Sequence, residues 1–467
     1  MGTSKARTPA KYTEPKLQPL PKKTIIIDNG AYTIKAGYAP TSSPPPKNED
    51  EWLSACSIIP NALAKTRANR VFVGNHLSTH ISDWNEVSFR RPVEKGYIVN
   101  WEAQKEIWEH SFFDEKTSRY NKDLRITDPE ETTLLLTEAP NALPSLQKNA
   151  DEIIMEEWGF GGYLRYVGPA LNAWIDVHAI FGDQSAQTSD SAATPVECLL
   201  VVDSGYSHTT ITPVYMGRPL QRAIRRLELG GKHLTNYIKE IVSMRQYNMV
   251  DETYIINDVK EAVCYVSSDF TNDMERTWKG NRGRGSTDDI VVEYVLPDPA
   301  SNKKGFVRPH DPLLGAKKKK SLLSGSGTET ASDDFLVLGN ERFTVPEILF
   351  SPGDIGMKQA GIPEAILQSL SVLPTGLHPV FLANILVVGG NALLPGFVER
   401  LETELRQIAS AGCVVRVRRS KDPIRSTWLG ASRFATNQEE FQEVAVTRQQ
   451  YLEHGSAWVG KRFSGLR

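Results

Sequence analysis

The sequence predicts an α/β fold with a duplicated core, and three observations support this. Short β-branched runs that end in glycine turns read TIIIDNG at 24–30, LLVVDSG at 199–205 and NILVVGGN at 384–391. Continuous apolar runs of this length are typical of buried strands. Amphipathic segments lie between them, and alternating strands and helices indicate the α/β class. The first two runs place Asp28 and Asp203 at equivalent points, 175 residues apart (203 − 28), which favours two similar halves over a short-period repeat.

Apolar residues at helical spacing predict the helices that connect these strands. The stripes lie at 101–113, 232–246 and 396–409. Trp101 and Trp108 in the first stripe are expected to face the core. Residues 151–158 (DEIIMEEW) open with acidic side chains, which suit a helix N-terminus, so we expect a helix to begin there.

Composition narrows the protein class. The 467 residues are 40% hydrophobic and 24% charged, which excludes a wholly disordered chain. Lys plus Arg number 54 against 56 Asp plus Glu, and the net charge of −2 excludes a histone-like polycation. The four cysteines lie far apart with no CxxC pair, which argues against a zinc finger or a disulfide framework and fits a reducing compartment. No signal sequence or membrane-spanning run is visible, so we expect a soluble intracellular protein.

Several polar stretches interrupt the predicted core. Residues 1–22 form a basic, proline-rich arm that we expect to be disordered. Further inserts or linkers are 40–50, 183–195, 279–287 and 298–333. The last lies between IVVEYVLP and DFLVLG, which predicts a hairpin whose tip has been expanded. A loop of that length is either disordered or functional.

The glycine turns after the strands are suited to phosphate. Glycine allows close backbone approach, its neighbouring N–H groups can face an anion, and Asp28 or Asp203 can hold Mg²⁺ through water. Gly389 and Gly390 offer a third close approach. Each signal alone is weak because such turns are common, but three in this order favour a clamp around a phosphate tail.

The motifs resemble those of the actin family over most of residues 24–460, in collinear order. KTIIIDNGAYTIKAGYA is similar to the first phosphate loop, VVDSGYSHTTITPVYMG to the second and LELGGKHLTNYI to the ribose-side motif. VVGGNALLPGF and STWLGAS also match. IPNALAKTRANR, RQYNMVDETYIINDVKEAVCYVS and VLPDPASNKKGFVRP resemble the actin-related protein 6 subfamily in particular.

The resemblance implies an actin-like two-lobed fold with four subdomains around a nucleotide cleft. The first lobe (subdomains 1 and 2) would comprise 23–182 and 411–467, and the second (subdomains 3 and 4) 196–410. It implies ATP or ADP, with Mg²⁺, as the ligand. The matching nucleotide-binding positions are Asp28, Asn29, Gly30, Lys35, Asp203, Ser204, Gly205, Lys260, Glu261, Gly389, Gly390 and Leu393. Asp28 and Asp203 would hold the metal through water.

The departures from the family pattern argue against catalysis. Ala31 and Tyr32 replace the Ser-Gly of actin-like first loops, and Tyr206 and Ser207 replace the Asp-Gly of second loops. The family's water-orienting Gln falls on Pro169, which has no side-chain donor or acceptor.

The family's nearby catalytic His falls on Thr210, and we interpret His208 as structural or surface-exposed. Losing one preorganised group can lower a rate on the order of 10²–10³-fold, so we expect nucleotide binding without turnover and assign no catalytic residue. We also expect a monomer, because the inserts alter surfaces on both lobes.

The subfamily resemblance implies a nuclear scaffold subunit of a Swr-type chromatin remodeller, which exchanges a variant histone into nucleosomes. Its expected partners are the remodeller's motor subunit and a small zinc-HIT subunit. One alternative is an actin-type ATP-hydrolysing switch of the cytoskeleton or nucleus. Another is direct nucleic-acid binding, to which Arg282, Arg284 and the RVRR run at 416–419 would also contribute. We treat DNA contact as auxiliary; the candidate residues are Lys303, Lys304, Lys317, Lys318, Lys319 and Lys320.

Overall fold

The computed structural model describes residues 19–41, 44–81, 84, 87–118, 124–182, 195–278, 290–298, 303–311 and 334–464. Several predictions therefore concern residues outside this description: most of the 1–22 arm, the linker up to 194, the Gly/Arg-rich stretch at 279–287 and Lys317, Lys318, Lys319 and Lys320.

The strands are β1 (Lys23–Asn29), β2 (Thr33–Tyr38), β3 (Ser57–Pro60), β4 (Leu63–Lys65), β5 (Val71–Val73), β6 (Ser88–Arg90), β7 (Val93–Glu94), β8 (Tyr97–Ile98), β9 (Thr132–Glu138), β10 (Gly162–Val167), β11 (Cys198–Ser204), β12 (Thr209–Tyr215), β13 (Arg218–Pro219), β14 (Arg225–Leu227), β15 (Val292–Val295), β16 (Phe306–Pro309), β17 (Phe335–Leu338), β18 (Ile385–Val388), β19 (Val417–Arg419) and β20 (Val446–Thr447).

The helices are α1 (Glu49–Ser54), α2 (His76–His80), α3 (Trp101–Trp108), α4 (Pro144–Glu152), α5 (Gly168–Leu171), α6 (Val177–Phe181), α7 (Gly231–Arg245), α8 (Thr253–Val263), α9 (Phe270–Thr277), α10 (Glu341–Glu347), α11 (Ile362–Leu370), α12 (His378–Leu382), α13 (Phe397–Ile408), α14 (Ser426–Thr436), α15 (Gln438–Val444) and α16 (Arg448–Ser464). Wider π-helical turns extend α3 over Glu109–Phe113 and α4 over Ile153–Glu157.

Two sheets with matching connectivity form the centres of the two lobes. The first has the order β20-β10-β9-β1-β2-β3, and the second has the order β13-β12-β11-β18-β19 with β14 also paired to β12. In each, the strand with an Asp as its second-last residue (β1 or β11) pairs antiparallel with the next strand and parallel with a later one. The three apolar runs are strands as predicted, and the duplicated actin-like architecture is confirmed.

The second sheet extends past residue 410, at which the sequence placed the end of that lobe. β19 pairs in parallel with β18, so the chain returns to the first lobe only after Arg419. The first lobe is completed by α14, which packs on β1, and by α16, which packs on β10. The precise lobe boundaries stay a prediction.

The expected hairpin around 298–333 is more elaborate than a long tip. β15 pairs antiparallel with β17, as predicted, but its other edge pairs with β16, a strand that lies inside the expansion. The alternating FVRP run was too short to stand out as a strand.

The expectation that a helix begins at 151 was wrong, because those residues end one. α4 begins at Pro144, whose fixed φ and missing N–H suit the first helical turn. Asp151 is buried and pairs with Arg165 at 3.0 Å instead of facing a helix N-terminus. The predicted helices at 101–113, 232–246 and 396–409 are present, and Trp108 is completely buried.

Two large apolar cores stabilise the fold, and the first of them extends from the first lobe to one face of the second lobe's sheet. In the first, Ile25, Ile26 and Ile27 of β1 have no solvent exposure because both faces of the sheet are covered. The side chains on one face of β11 and β18, such as Val201 and Leu386, join the first core, and those on the other face, such as Val202 and Val387, join the second. Within the part of the chain that the structure describes, no helix has both the length and the apolar character needed to cross a bilayer.

Candidate phosphate-binding cleft

A cavity of about 610 Å³ lies between the two large sheets, at the ends of β1, β11 and β18. All of the predicted nucleotide-binding residues line it except Ser204. They come together because the Asp-bearing strands end at the same side of two facing sheets. The cleft on which the nucleotide prediction depends is therefore present.

The first loop presents a carboxyl that is already paired. Asp28 and Lys35 are directly opposite each other on β1 and β2, and Lys35 Nζ lies 3.3 Å from Asp28 Oδ2. Thr137 Oγ1, at the end of β9, donates to Asp28 Oδ1 at 2.7 Å. This arrangement orients Asp28 and keeps an ammonium group beside the predicted phosphate position.

Asn29 supports the loop with its side chain. Its Nδ2 donates to Gln104 Oε1 at 2.8 Å, and its Oδ1 accepts from Trp108 Nε1 at 3.2 Å. Asn61 Nδ2 donates to the Gly30 carbonyl at 2.8 Å. Any contact of Asn29 with phosphate would therefore use its backbone, because both ends of the amide are engaged by α3.

The second loop presents Asp203 with few compensating contacts. Burial and the nearby Asp28 carboxylate raise the pKa of Asp203 to about 6, although Lys35 opposes the shift. The Ser204 hydroxyl is completely buried and lies 2.9 Å from Thr209 Oγ1. Asn391 Nδ2 donates to both Ser204 Oγ (3.0 Å) and the Gly205 carbonyl (2.9 Å). Ser204 thus joins the loop to the turn after β18 and is turned away from the cavity.

Gly389 allows the closest backbone approach in the cleft. Its φ is +89°, and a Cβ there would lie 2.4 Å from the Ser204 carbonyl oxygen. Around Gly390, by contrast, a Cβ would meet nothing within 4 Å. Leu393 is 47% exposed at the rim, where it could cover one face of a base.

The predicted adenosine side is a buried polar network on α7 and α8. Lys260 Nζ donates to Asn257 Oδ1 at 2.9 Å and to Thr235 Oγ1 at 3.1 Å. Asn257 Nδ2 also donates to Glu261 Oε1 at 2.7 Å. Burial lowers the pKa of Lys260. The lysine is fixed by neutral oxygens, so it can present its remaining N–H to a ligand oxygen without rearrangement.

The residues present fit a nucleotide and give only indirect support for a metal. The backbone at Gly30, Gly205 and Gly389 converges on the cavity, and Asp203 is a desolvated carboxyl that a cation would stabilise. Among the described residues, no group of three or more His, Cys, Asp or Glu side chains is arranged to hold a metal ion. Whether Asp28 and Asp203 hold Mg²⁺ through its water shell stays a prediction.

At the two family positions, Pro169 offers no hydrogen-bonding side chain, and Thr210 offers a hydroxyl in place of the histidine ring. Pro169 is completely buried in α5 and lines the cavity. Thr210, on β12, also lines it, and its hydroxyl is buried with no hydrogen-bond partner. His208 lies in the turn before β12 with its ring against Gly96 of the first lobe, and burial lowers its pKa to about 3. It is a neutral packing residue, as interpreted.

The two tyrosines that depart from the family pattern contact each other, which the sequence did not reveal. The ring centroids of Tyr32 and Tyr206 lie 4.8 Å apart, with the Arg91 guanidinium 4.5 Å from the first and 5.2 Å from the second. The sequence did show the two replacements, Tyr32 at the family's Gly position and Tyr206 at its Asp position. Their pairing across the cleft needed the tertiary structure.

The basic residues proposed for DNA contact divide into two groups. Lys303 and Lys304 are exposed just before the edge strand β16. In the run at 416–419, the arginines are engaged within the protein: Arg416 with the Ala383 carbonyl, Arg418 with Glu402 and Arg419 with the Ala392 carbonyl. The RVRR run is therefore better explained by anchoring of β19 than by nucleic-acid binding.

Comparison with known proteins agrees with this geometry. The family model described as Actin matches residues 20–464. The actin-like protein arp6 of Aspergillus fumigatus is 70% identical, with all of both chains covered. The actin-related protein 6 of Neurospora crassa is 48% identical over 95% of each chain. That of Arabidopsis thaliana is 35% identical over 94% of this chain and 99% of its own.

Proposed function

The chain belongs to the actin family and resembles its actin-related protein 6 subfamily, and from this we propose that it is a non-catalytic scaffold subunit of a Swr-type chromatin remodeller. Such a complex exchanges a variant histone into nucleosomes. One observation supports the non-catalytic part most directly: the phosphate loops face each other across a cavity whose water-positioning sites hold Pro169 and Thr210. The expected location of such a subunit is the nucleus.

The loss of turnover follows from where catalysis of phosphoryl transfer originates. It depends almost entirely on positioning and electrostatics, and each missing group lowers the rate on the order of 10²–10³-fold. Pro169 offers no hydrogen bond to water, and the buried Thr210 hydroxyl is no general base at neutral pH. Tyr206 also removes one carboxylate from the metal region. These changes together leave hydrolysis too slow for a switching cycle.

Nucleotide retention is proposed separately, because it depends on the backbone. The turns at Gly30, Gly205 and Gly389 are fixed by strand pairing and by the Asn391 bonds, independently of the missing groups. A ligand that binds only the folded chain stabilises it in proportion to the logarithm of its concentration over Kd. Bound ATP or ADP with Mg²⁺ would thus act as a structural bridge between the lobes.

The inserts are the proposed docking sites for the motor subunit and the small zinc-HIT subunit. β16 shows that the 298–333 expansion is partly built into the second lobe, so a partner on this insert would be held rigidly against the fold. Lys303 and Lys304 are exposed at its start and could contact DNA or a nucleosome as an auxiliary interaction.

The second candidate is an ATP-hydrolysing switch. The retained Asp28, Lys35 and Asp203 at the phosphate end favour it, since they are the charges that an actin-type ATPase would need there. It requires a water-orienting group other than those at the two family positions.

The deciding experiment is isolation of the endogenous full-length protein. We expect co-purification of a remodeller motor and a zinc-HIT subunit, tightly bound nucleotide after acid extraction, and no Mg²⁺-dependent phosphate release from the isolated chain. Sustained phosphate release would favour the switch, and the absence of remodeller subunits would contradict the scaffold role.

DNA contact is tested in the intact complex. Lys303→Ala with Lys304→Ala should weaken DNA binding and reduce its salt dependence, whereas Lys358→Ala, a control at an exposed lysine outside the 298–333 insert, should not. If the double variant and the Lys358→Ala control bound DNA with equal affinity over a salt series, the proposed contact would be excluded.

A further inference from the structure

We propose that Tyr32, Tyr206 and Arg91 form an interlobe latch, which holds the lobes together at the phosphate end of the cleft and slows release of a bound nucleotide. The inference rests on the proposed nucleotide retention. It adds that contacts between side chains, and not the backbone loops alone, slow the release of the nucleotide. It concerns regulation of the cleft by residues that have no counterpart in the family's phosphate loops.

The contact geometry joins the two lobes directly. Tyr32 lies in the first loop and Tyr206 in the second, and their tilted rings have centroids 4.8 Å apart. The Arg91 guanidinium lies within cation–π distance of both rings, at 4.5 and 5.2 Å, and its Nη1 donates to the Tyr32 carbonyl at 3.3 Å. One cation therefore stabilises an aromatic pair whose members belong to different lobes.

A hydrogen bond fixes the Tyr32 ring to the second lobe as well. Asn257 Nδ2 donates to Tyr32 Oη at 3.2 Å, and the same amide is held by Lys260 and Glu261. Burial raises the pKa of Tyr32 far above its ordinary value, so the phenol stays neutral at physiological pH. The latch is thus coupled to the network at the predicted adenosine side.

The position of the latch gives it control over the cleft. Tyr32 and Tyr206 line both the cavity of about 610 Å³ and a second cavity of about 900 Å³ that opens between β6–β7 and α7–α8. The two rings therefore form part of the wall that separates the phosphate end from the outer cleft. A nucleotide in the inner cavity could leave past them only after the rings part.

A second aromatic contact farther out supports the same closure. Trp84 of the first lobe stacks on Tyr254 of α8, with centroids 3.7 Å apart and ring planes within 7°. Side chains therefore join the two lobes at this outer level as well as at the latch. Closure of this kind needs no bridging phosphate.

The test measures release of a fluorescent ADP analogue from the full-length protein. Tyr206→Leu and Arg91→Met each remove one member of the latch and are expected to speed release on the order of tenfold. Tyr206→Phe is the matched control, since it keeps the ring and should release within about twofold of the unmodified chain. Two independent variants guard against misfolding of either, which thermal unfolding would reveal.

Amide hydrogen exchange of the nucleotide-free protein separates failure of the latch from failure of nucleotide binding. We expect the segments 28–35 and 203–210 to be protected in the unmodified chain and in Tyr206→Phe, and less protected in Tyr206→Leu. If no nucleotide binds but this pattern is found, the latch stands and the retention proposal fails. Equal release rates, or equal exchange where no nucleotide binds, would overturn the latch.

Discussion

Asp203→Asn should stabilise the nucleotide-free protein in a pH-dependent way, because Asp203 is held charged in a site that disfavours its charge. Burial and Asp28 raise its pKa to about 6, from about 3.9 in an unfolded chain. An acid whose pKa is higher when folded binds protons more tightly in the folded state. Asp203 therefore contributes most to the stability of the folded state below pH 4, where it is protonated, and this contribution is lost as the pH rises through 6.

The size of the effect follows from the shift. A shift of two pKa units means that the charged Asp203 lowers the unfolding free energy by about 3 kcal/mol at pH 8. This destabilisation falls to roughly half of that at pH 5. Asn resembles the protonated acid in shape and lacks the charge. Asp203→Asn should thus gain up to about 3 kcal/mol in unfolding free energy at pH 8 and clearly less at pH 5.

Urea unfolding at several pH values, with and without Mg-ADP, provides the assay. The exposed Asp354→Asn is the control and should change neither stability nor pH dependence. Mg-ADP should stabilise the unmodified protein more than Asp203→Asn, because only the former offers a carboxylate to the metal. If Asp203→Asn raised the unfolding free energy equally at every pH, or lowered it at pH 8, the reasoning would be refuted.

Two further substitutions test the rigid parts around the cleft. Arg165→Met leaves the buried Asp151 carboxyl without its partner, as the two side chains are 2% and 1% exposed, and should lower the unfolding free energy by about 3–5 kcal/mol in urea. Arg448→Met, which breaks a more exposed pair, should change it by less than about 1 kcal/mol. Gly389→Ala forces a Cβ to within 2.4 Å of a carbonyl at positive φ and should abolish nucleotide retention, whereas Gly390→Ala, which meets nothing within 4 Å, should keep it.

The fold was predictable where burial alone determines structure. The runs that became β1, β11 and β18 are apolar on both faces, and their short length, β-branched residues and following glycine turns favour a buried strand over a helix. Local sequence signals gave the wrong helix boundary where tertiary contacts determined the structure. The acidic residues of 151–158 suggested a helix start, but Asp151 is buried against Arg165, and Pro144 sets the start instead.

The site was predictable at the level of its backbone. Asp28, Gly30 and Asp203 were placed in the cleft because each lies at the end of a predicted strand or directly after it. The contacts that support them were not predictable. Thr137 reaches Asp28 from 109 residues away and Asn391 reaches Ser204 from 187, and no pattern in a single sequence gives the register that brings them together.

The structural contacts of the phosphate loops also explain how these loops can persist in a protein without turnover. The Asp28–Lys35 pair belongs to the β1–β2 ladder, and the bonds of Asn391 close the turn after β18, so both have structural roles without any ligand. Pro169 and Thr210 occupy positions where the fold needs only a buried, compact side chain. Selection for stability alone would thus keep the loops and leave the water-positioning groups free to change. The loops are therefore evidence for a cleft that can hold a nucleotide, and turnover must be measured as phosphate release.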